Sequence, residues 1–255
     1  MRLQLLSDLH LETEEFDAKP APGAEALVLA GDVDSTWRCF EHFRNWPVPV
    51  LFVPGNHEYD GRDIDMARTG LHALAGELGF ITLDNAEHVL SDAQGRRVRF
   101  VGSTRWSDFD LFGPVERDRA IRAAGYFQRV MAATRNGQAF DAEAVREEGL
   151  RCRAYLAQAL SAPGAGSDWD ATVVITHFAP SIKSADPRYG RQPGTASFCN
   201  DDEALMSGAR LWLHGHLHCR HDYRVGTTRV LCNARGHRRK GEADGWQGSR
   251  LIEVF

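Results

Sequence analysis

The stretch Leu27-Val28-Leu29-Ala30-Gly31-Asp32 constrains this chain more than any other. A short apolar run without helical spacing reads as a strand buried on both faces. It ends in a glycine and a carboxylate, where open α/β sheets place their ligands, beyond the carboxyl ends of the strands. Other apolar runs end alike. Residues 2–6 lead into Ser7-Asp8-Leu9-His10, and residues 50–53 into Pro54-Gly55-Asn56-His57-Glu58. Residues 171–176 lead into His177, and residues 211–213 into His214-Gly215-His216-Leu217-His218. These strand ends deliver Asp, His, Asp, Asn, His, His and His, a set that reads as a metal site with Asp32 at its middle.

The order of elements supports an α/β fold. Residues 35–46 read as a helix closed by Pro47 and Pro49, and residues 64–78 as a crossover helix. Strand, loop and helix repeat to this point, as in right-handed βαβ units with a parallel sheet. From Phe80 the runs shorten, and residues 81–83, 88–90 and 98–102 read as antiparallel strands. Residues 114–160 read as mostly helical, with Val145, Cys152, Leu156 and Leu160 on one apolar stripe, and 161–167 as a Gly-rich loop. Strands return over 172–176, 210–213, 222–225, 229–232 and 251–255. No repeat or domain boundary is visible. Residues 1–255 are expected to form one domain of two packed mixed sheets flanked by helices.

Composition excludes some functions. At 43% hydrophobic residues the chain has ample core, and its net charge of −5 disfavours long nucleic acid as a partner. Met1-Arg2 leads straight into the first strand and no apolar run approaches membrane-spanning length, so neither a signal peptide nor a membrane partner is expected. The five cysteines form no C-x-x-C pair and are odd in number, which fits reduced thiols and a cytoplasmic location.

The chemistry follows from the residue types. Two divalent ions a few ångström apart need a shared ligand, and a carboxylate such as Asp32 can bridge them. Asp8 and His10 lie two apart where the chain leaves the sheet. His216 and His218 flank Leu217, and Gly215 lets the backbone pass close by. Mixed nitrogen and oxygen donors suit Mn, Fe, Zn, Co or Ni rather than Ca or Mg. His42, His72, His88 and His237 have no such setting and read as surface or core residues. His214 reads as a supporting or structural neighbour.

These blocks, in this order across residues 8–218, resemble the signature of the calcineurin-like metallophosphoesterases. The resemblance implies a four-layer α/β sandwich with a dinuclear site at one edge. It implies Asp8, His10, Asp32 and His218 on a first ion, and Asp32, Asn56, His177 and His216 on a second. The implied reaction is hydrolysis of a small phosphate mono- or diester, or a nucleotide, by a metal-bridging hydroxide. His57 would protonate the leaving oxygen or bind the phosphoryl group, or else only orient Asp32 or a neighbour.

The protein-phosphatase branch carries Asp-Arg-Gly after the Gly-Asp block and an Arg after Asn-His-Glu. Here Gly31-Asp32 precedes Val33-Asp34-Ser35-Thr36, and Glu58 precedes Tyr59-Asp60-Gly61, so phosphoserine in proteins is a poor substrate. The chain looks more like the family's small prokaryotic phosphohydrolases. A polynucleotide phosphodiesterase is an alternative, suggested by the basic run Arg235, His237, Arg238, Arg239, Lys240. A non-catalytic scaffold of the same fold is another. The start of residues 114–160, entered through the aromatics Trp106, Phe109 and Phe112, is expected either to cover a sheet face or to close over the metal edge. In the second case Arg105 would fix a phosphate oxygen from the rim.

Overall fold

The computed structural model describes residues 1–125, 127–161 and 168–255; the expected loop therefore lies, from residue 162 on, outside the described residues. In chain order the elements begin with β1 (Arg2–Leu6), β2 (Ala26–Ala30), β3 (Val50–Val53), α1 (Ile64–Glu77), β4 (Ile81–Thr82), β5 (Ala86–Ser91) and β6 (Arg97–Ser103). They continue with α2 (Arg117–Ala123), β7 (Thr134–Arg135), β8 (Gln138–Ala139), α3 (Ala142–Ser161) and β9 (Ala171–Thr176). The last are β10 (Leu211–His214), β11 (Arg220–Val225), β12 (Thr228–Asn233) and β13 (Leu251–Glu253).

Two mixed sheets result. The first has the order β13-β1-β2-β3-β4 and is parallel except for β13. The second has the order β11-β12-β10-β9-β6-β5, with antiparallel pairs only at its edges. Side chains alternate between faces along each strand. Leu3, Leu5, Val28, Ala30, Leu51 and Val53 therefore pack inward against Phe100, Val173, Ile175, Leu211 and Leu213. The alternate residues Leu27, Leu29 and Phe52 pack outward, against Leu71 and Ala75 of α1. On the far side Val101, Val174 and Trp212 pack with Leu156 of α3. Helix, sheet, sheet and helix are the four layers.

Local chemistry explains where the elements depart from expectation. In α1 the Asp63 carboxylate caps the start by accepting from the amides of Asp65 and Met66. Residues 35–46 yield only a short 3₁₀ turn, Arg38–Phe43. The Asp34 side chain accepts from the amides of Thr36 (2.8 Å) and Cys39 (2.6 Å), and Trp37 takes φ 69°, so side-chain bonding displaces the helix. β4 pairs parallel with β3, because α1 returns the chain across the sheet. Residues 114–160 contain α2, a π-helical turn over Phe127–Met131, the β7–β8 hairpin and α3.

Trp106 and Phe109 are buried rather than exposed. Together with Tyr59, Phe140, Met131 and Phe178 they form a separate apolar cluster. Phe112 is half-buried under the Arg191 guanidinium. Of the cysteines, Cys152, Cys199 and Cys232 are buried, and Cys39 and Cys219 are half-buried.

Candidate metal centre and cleft

The loops leaving β1, β2, β3, β9 and β10 meet at one edge and bring Asp8, His10, Asp32, Asn56, His177, His216 and His218 together. Asp8, His10 and Asp32 offer ligand atoms within 4.8 Å of one another, as do Asp32, His177 and His216. Asp8, Asp32, Asn56 and His177 are at most 1% exposed. Tight turns aim these groups: Asp8, His10, Asp32, His216 and His218 all have positive φ, a costly region for residues with a side chain. Backbone bonds across the edge hold them there, Asp8 N–H donating to Gly31 O (3.0 Å) and His10 N–H to Asp32 O (3.1 Å). A Cβ at Gly215 would stand 2.6 Å from Asp8 Oδ2, so only glycine lets β10 pass this close.

The outer hydrogen bonds of the imidazoles set their tautomers. His177 Nδ1 donates to Ala30 O (2.9 Å) and His216 Nε2 faces Ser197 O (3.4 Å). His177 Nε2 and His216 Nδ1 then meet at 3.2 Å, with Asn56 Oδ1 also 3.2 Å from His177 Nε2. On the other side His10 Nδ1 pairs with Glu12 (3.2 Å) and His218 Nδ1 with Glu242 (2.8 Å), leaving their Nε2 atoms 3.0 Å apart. Both arrangements turn ring nitrogens toward each other, and a shared proton or a bound cation between them satisfies both. Asn56 Nδ2 is buried without a hydrogen-bond partner among the described residues. Asp32 Oδ2 lies 3.2 Å from His177 Nε2. The donors present fit divalent cations.

Burial would raise the Asp32 carboxyl, but His177 and His57 hold it well below the usual carboxylate range. Burial would lower His177, and Asp32 outweighs it, raising the imidazole to about 9. Burial and neighbouring His177 push His216 well below its ordinary value. His57 donates its backbone N–H to Asp32 Oδ1 (2.9 Å), while its Nδ1 pairs with Asp60 Oδ2 (2.7 Å). Burial opposes its charge, yet Asp32 and Asp60 push it up to about 10.

Three placements differ from expectation. Arg105 is not at a rim: it is fully buried, and its guanidinium makes five hydrogen bonds, to both Asp202 oxygens, Asp108 Oδ2, Trp106 O and Gly149 O. Those bonds saturate its donors. His237, read as a surface or core residue, stacks on His10 with ring centroids 4.6 Å apart. Arg235 is buried against Glu14 (3.2 Å), so the basic run exposes fewer cations than its composition suggests.

Other residues support the site without a sequence signal of their own. Glu58 accepts from the amides of Asp32, Val33 and Gly55, tying two loops together; burial and Asp32 push it up to about 8. Its place beside Asn56-His57 was the available hint. Glu12 and Glu242 carried none.

A cleft of about 890 Å³ opens above this floor. Asp32, His57, His216 and His218 lie at its base, and His237, Lys240 and Glu242 line one side. Arg119, Ala123, Val130, Arg188, Tyr189 and Thr195 complete the lining.

The sequence pattern of the calcineurin-like phosphoesterases matches residues 1–220, and the chain belongs to that family. It is a metal-binding phosphoester hydrolase. Among solved structures it resembles phosphopantetheinyl hydrolase (PptH) from Mycobacterium tuberculosis, with a TM-score of 0.76 and 18% identity over 98% of this chain and 95% of the other. It also resembles a putative 5'-nucleotidase from Staphylococcus aureus, with a TM-score of 0.53 and 13% identity over 92% of this chain and 49% of that one. Uncharacterized protein L509 of Acanthamoeba polyphaga mimivirus is 24% identical in an alignment that covers 85% of this chain and 84% of the relative. Among the described residues no helix is long and apolar enough to cross a membrane.

Proposed function

We propose that the chain hydrolyses a phosphate mono- or diester of a small organic molecule or nucleotide at a dinuclear centre. Asp8, His10, Asp32 and His218 would hold one divalent transition-metal ion, and Asp32, Asn56, His177 and His216 the other. The observation that carries this reading is the pair of opposed imidazole contacts, at 3.0 and 3.2 Å, converging with the buried Asp32 and Asn56. Ions bound here supply Lewis-acid charge for the phosphoryl oxygens and make an attacking water acidic near neutral pH.

The chain's own groups supply the remainder. His57, held through Nδ1 by Asp60, lines the cleft and donates a proton to the leaving oxygen. The walls of the cleft accept the leaving group. A volume of about 890 Å³ suits an organic leaving group far larger than phosphate. The names of the two structural neighbours, a phosphopantetheinyl hydrolase and a nucleotidase, are of the same kind. The start of residues 114–160, which supplies Arg119, Ala123 and Val130 to the wall, selects among such groups.

The test is a parallel screen of aryl phosphate monoesters, aryl phosphate diesters and nucleotides with Mn, Fe, Co, Ni, Zn and Mg. Hydrolysis dependent on a transition metal is expected, with larger kcat/KM for bulky leaving groups. Absence of hydrolysis with every metal overturns the reading.

A further inference from the structure

Three imidazoles meet at one side of the floor, where the family resemblance accounts for two. His10, His218 and His237 each offer a ligand atom within 4.8 Å of the others. We propose that His237 is an additional nitrogen donor to the ion held by Asp8, His10 and His218. This inference rests on the dinuclear reading above and goes beyond its ligand set.

The backbone brings His237 there deliberately. Past the end of β12 the chain continues alongside the loop that carries Asp8. Ala234 bridges to Ser7, Arg235 N–H donates to Ser7 O (3.1 Å), and Gly236 N–H donates to Asp8 O (3.0 Å). Gly236 has φ 66°, and a Cβ there would stand 2.8 Å from His218 Cβ and from Glu242. Glycine alone permits that approach. One carboxylate oxygen then fixes two histidines, since Glu242 Oε2 accepts from His237 N–H (2.9 Å) and pairs with His218 Nδ1 (2.8 Å). Glu14 pins the next residue by accepting from Arg238 N–H (3.2 Å).

The ring has the setting of a donor. It stacks on His10 at 4.6 Å and 25°, and stands edge-on to His218 at 5.2 Å. Its side chain is 18% exposed, and Nδ1 is buried without a hydrogen-bond partner among the described residues. Glu14 Oε1, 3.6 Å away, is beyond a good hydrogen bond. A buried polar nitrogen left unmatched is costly, and a neutral imidazole nitrogen is a preferred transition-metal donor. Three imidazoles on one ion shift its preference toward Zn, Ni, Co or Fe(II) and away from Mn and Mg.

The experiment reads the metal rather than turnover. Wild type, His237→Ala, His237→Gln and His237→Cys are stripped of metal and reloaded with Co(II), Zn or Mn. Ions per chain, competition between Zn and Mn, and the Co(II) absorption spectrum are then measured. Both the Ala and Gln variants should bind one of their two ions at least about tenfold more weakly, with the deficit larger for Zn and Co than for Mn. The Co(II) visible bands should change, and the Cys variant should gain a thiolate-to-Co(II) charge-transfer band that a supporting role would not produce. Variants with wild-type stoichiometry, competition and spectra, and no thiolate band, overturn the proposal while leaving the dinuclear reading intact. A wild-type chain that takes up no divalent ion overturns both.

Discussion

The two halves of the metal floor are anchored by different kinds of group. On one side His177 and His216 lean on main-chain oxygens, Ala30 O and Ser197 O, and are almost fully buried. On the other, His10, His218 and His57 lean on carboxylates, those of Glu12, Glu242 and Asp60, and His218 and His57 line the cleft. A carbonyl fixes a tautomer without adding charge, whereas a carboxylate also makes the imidazole more basic. The imidazoles of the first half are therefore oriented by neutral groups, and the charge beside them is that of Asp32. Each imidazole of the second half is matched by a carboxylate of its own.

The largest effect should come from breaking the buried half. His216→Ala or Asp32→Asn should abolish metal-dependent hydrolysis while circular dichroism shows a folded chain, because the sheet core lies below the site. More than about a tenth of the wild-type rate would contradict this, since loss of one ion forfeits several kcal/mol of charge stabilisation. The same half can be loosened from behind. Arg105 binds Asp202, and the segment before it presents Ser197 O to His216. Arg105→Met strands Asp108 and Asp202 as buried charges and should cost about 3–5 kcal/mol in urea unfolding. A loss near zero would show that this ion triad contributes nothing.

The second half should respond more gently and more selectively. His57→Ala should keep both ions, slow substrates with poor leaving groups about a hundredfold, and spare activated aryl esters. Equal losses on both would leave it only phosphoryl binding. The smallest effect belongs to Glu242. Burial would raise its carboxyl, but His218 holds it at about 2, below the ordinary 4.5. A depressed carboxyl adds stability above its unfolded value and loses it as pH falls toward the folded one. Wild type should therefore lose stability between about pH 4.5 and 2 that Glu242→Gln does not. Parallel urea titrations across that window would show it, and coincident curves would refute the anchoring role.

The contrast also marks what could be read from sequence. Asp8, Asp32, Asn56, His177 and His216 each follow a buried strand directly, so periodicity and residue type sufficed to group them. Arg105 also follows a strand, β6, but its partner Asp202 is 97 residues away, and nothing local separates a buried guanidinium from one at a rim. His237 was missed for the same reason, since its place depends on residues 234–236 pairing with residues 7–8. The β7–β8 hairpin had a local signal that helical periodicity obscured: Asn136-Gly137, both at positive φ, is the dipeptide favoured in two-residue hairpin turns.

The left-handed backbone at Asp8, His10, Asp32, His216 and His218 has a kinetic consequence. Those turns are held by hydrogen bonds among the loops themselves, such as Asp8 N–H to Gly31 O and His216 N–H to Asp8 Oδ1 (2.9 Å). Donors set in this way stand ready before an ion arrives, so little chain must be ordered to receive it. One ion can then replace another without refolding the protein. Which metal the site holds becomes a matter of supply and donor chemistry.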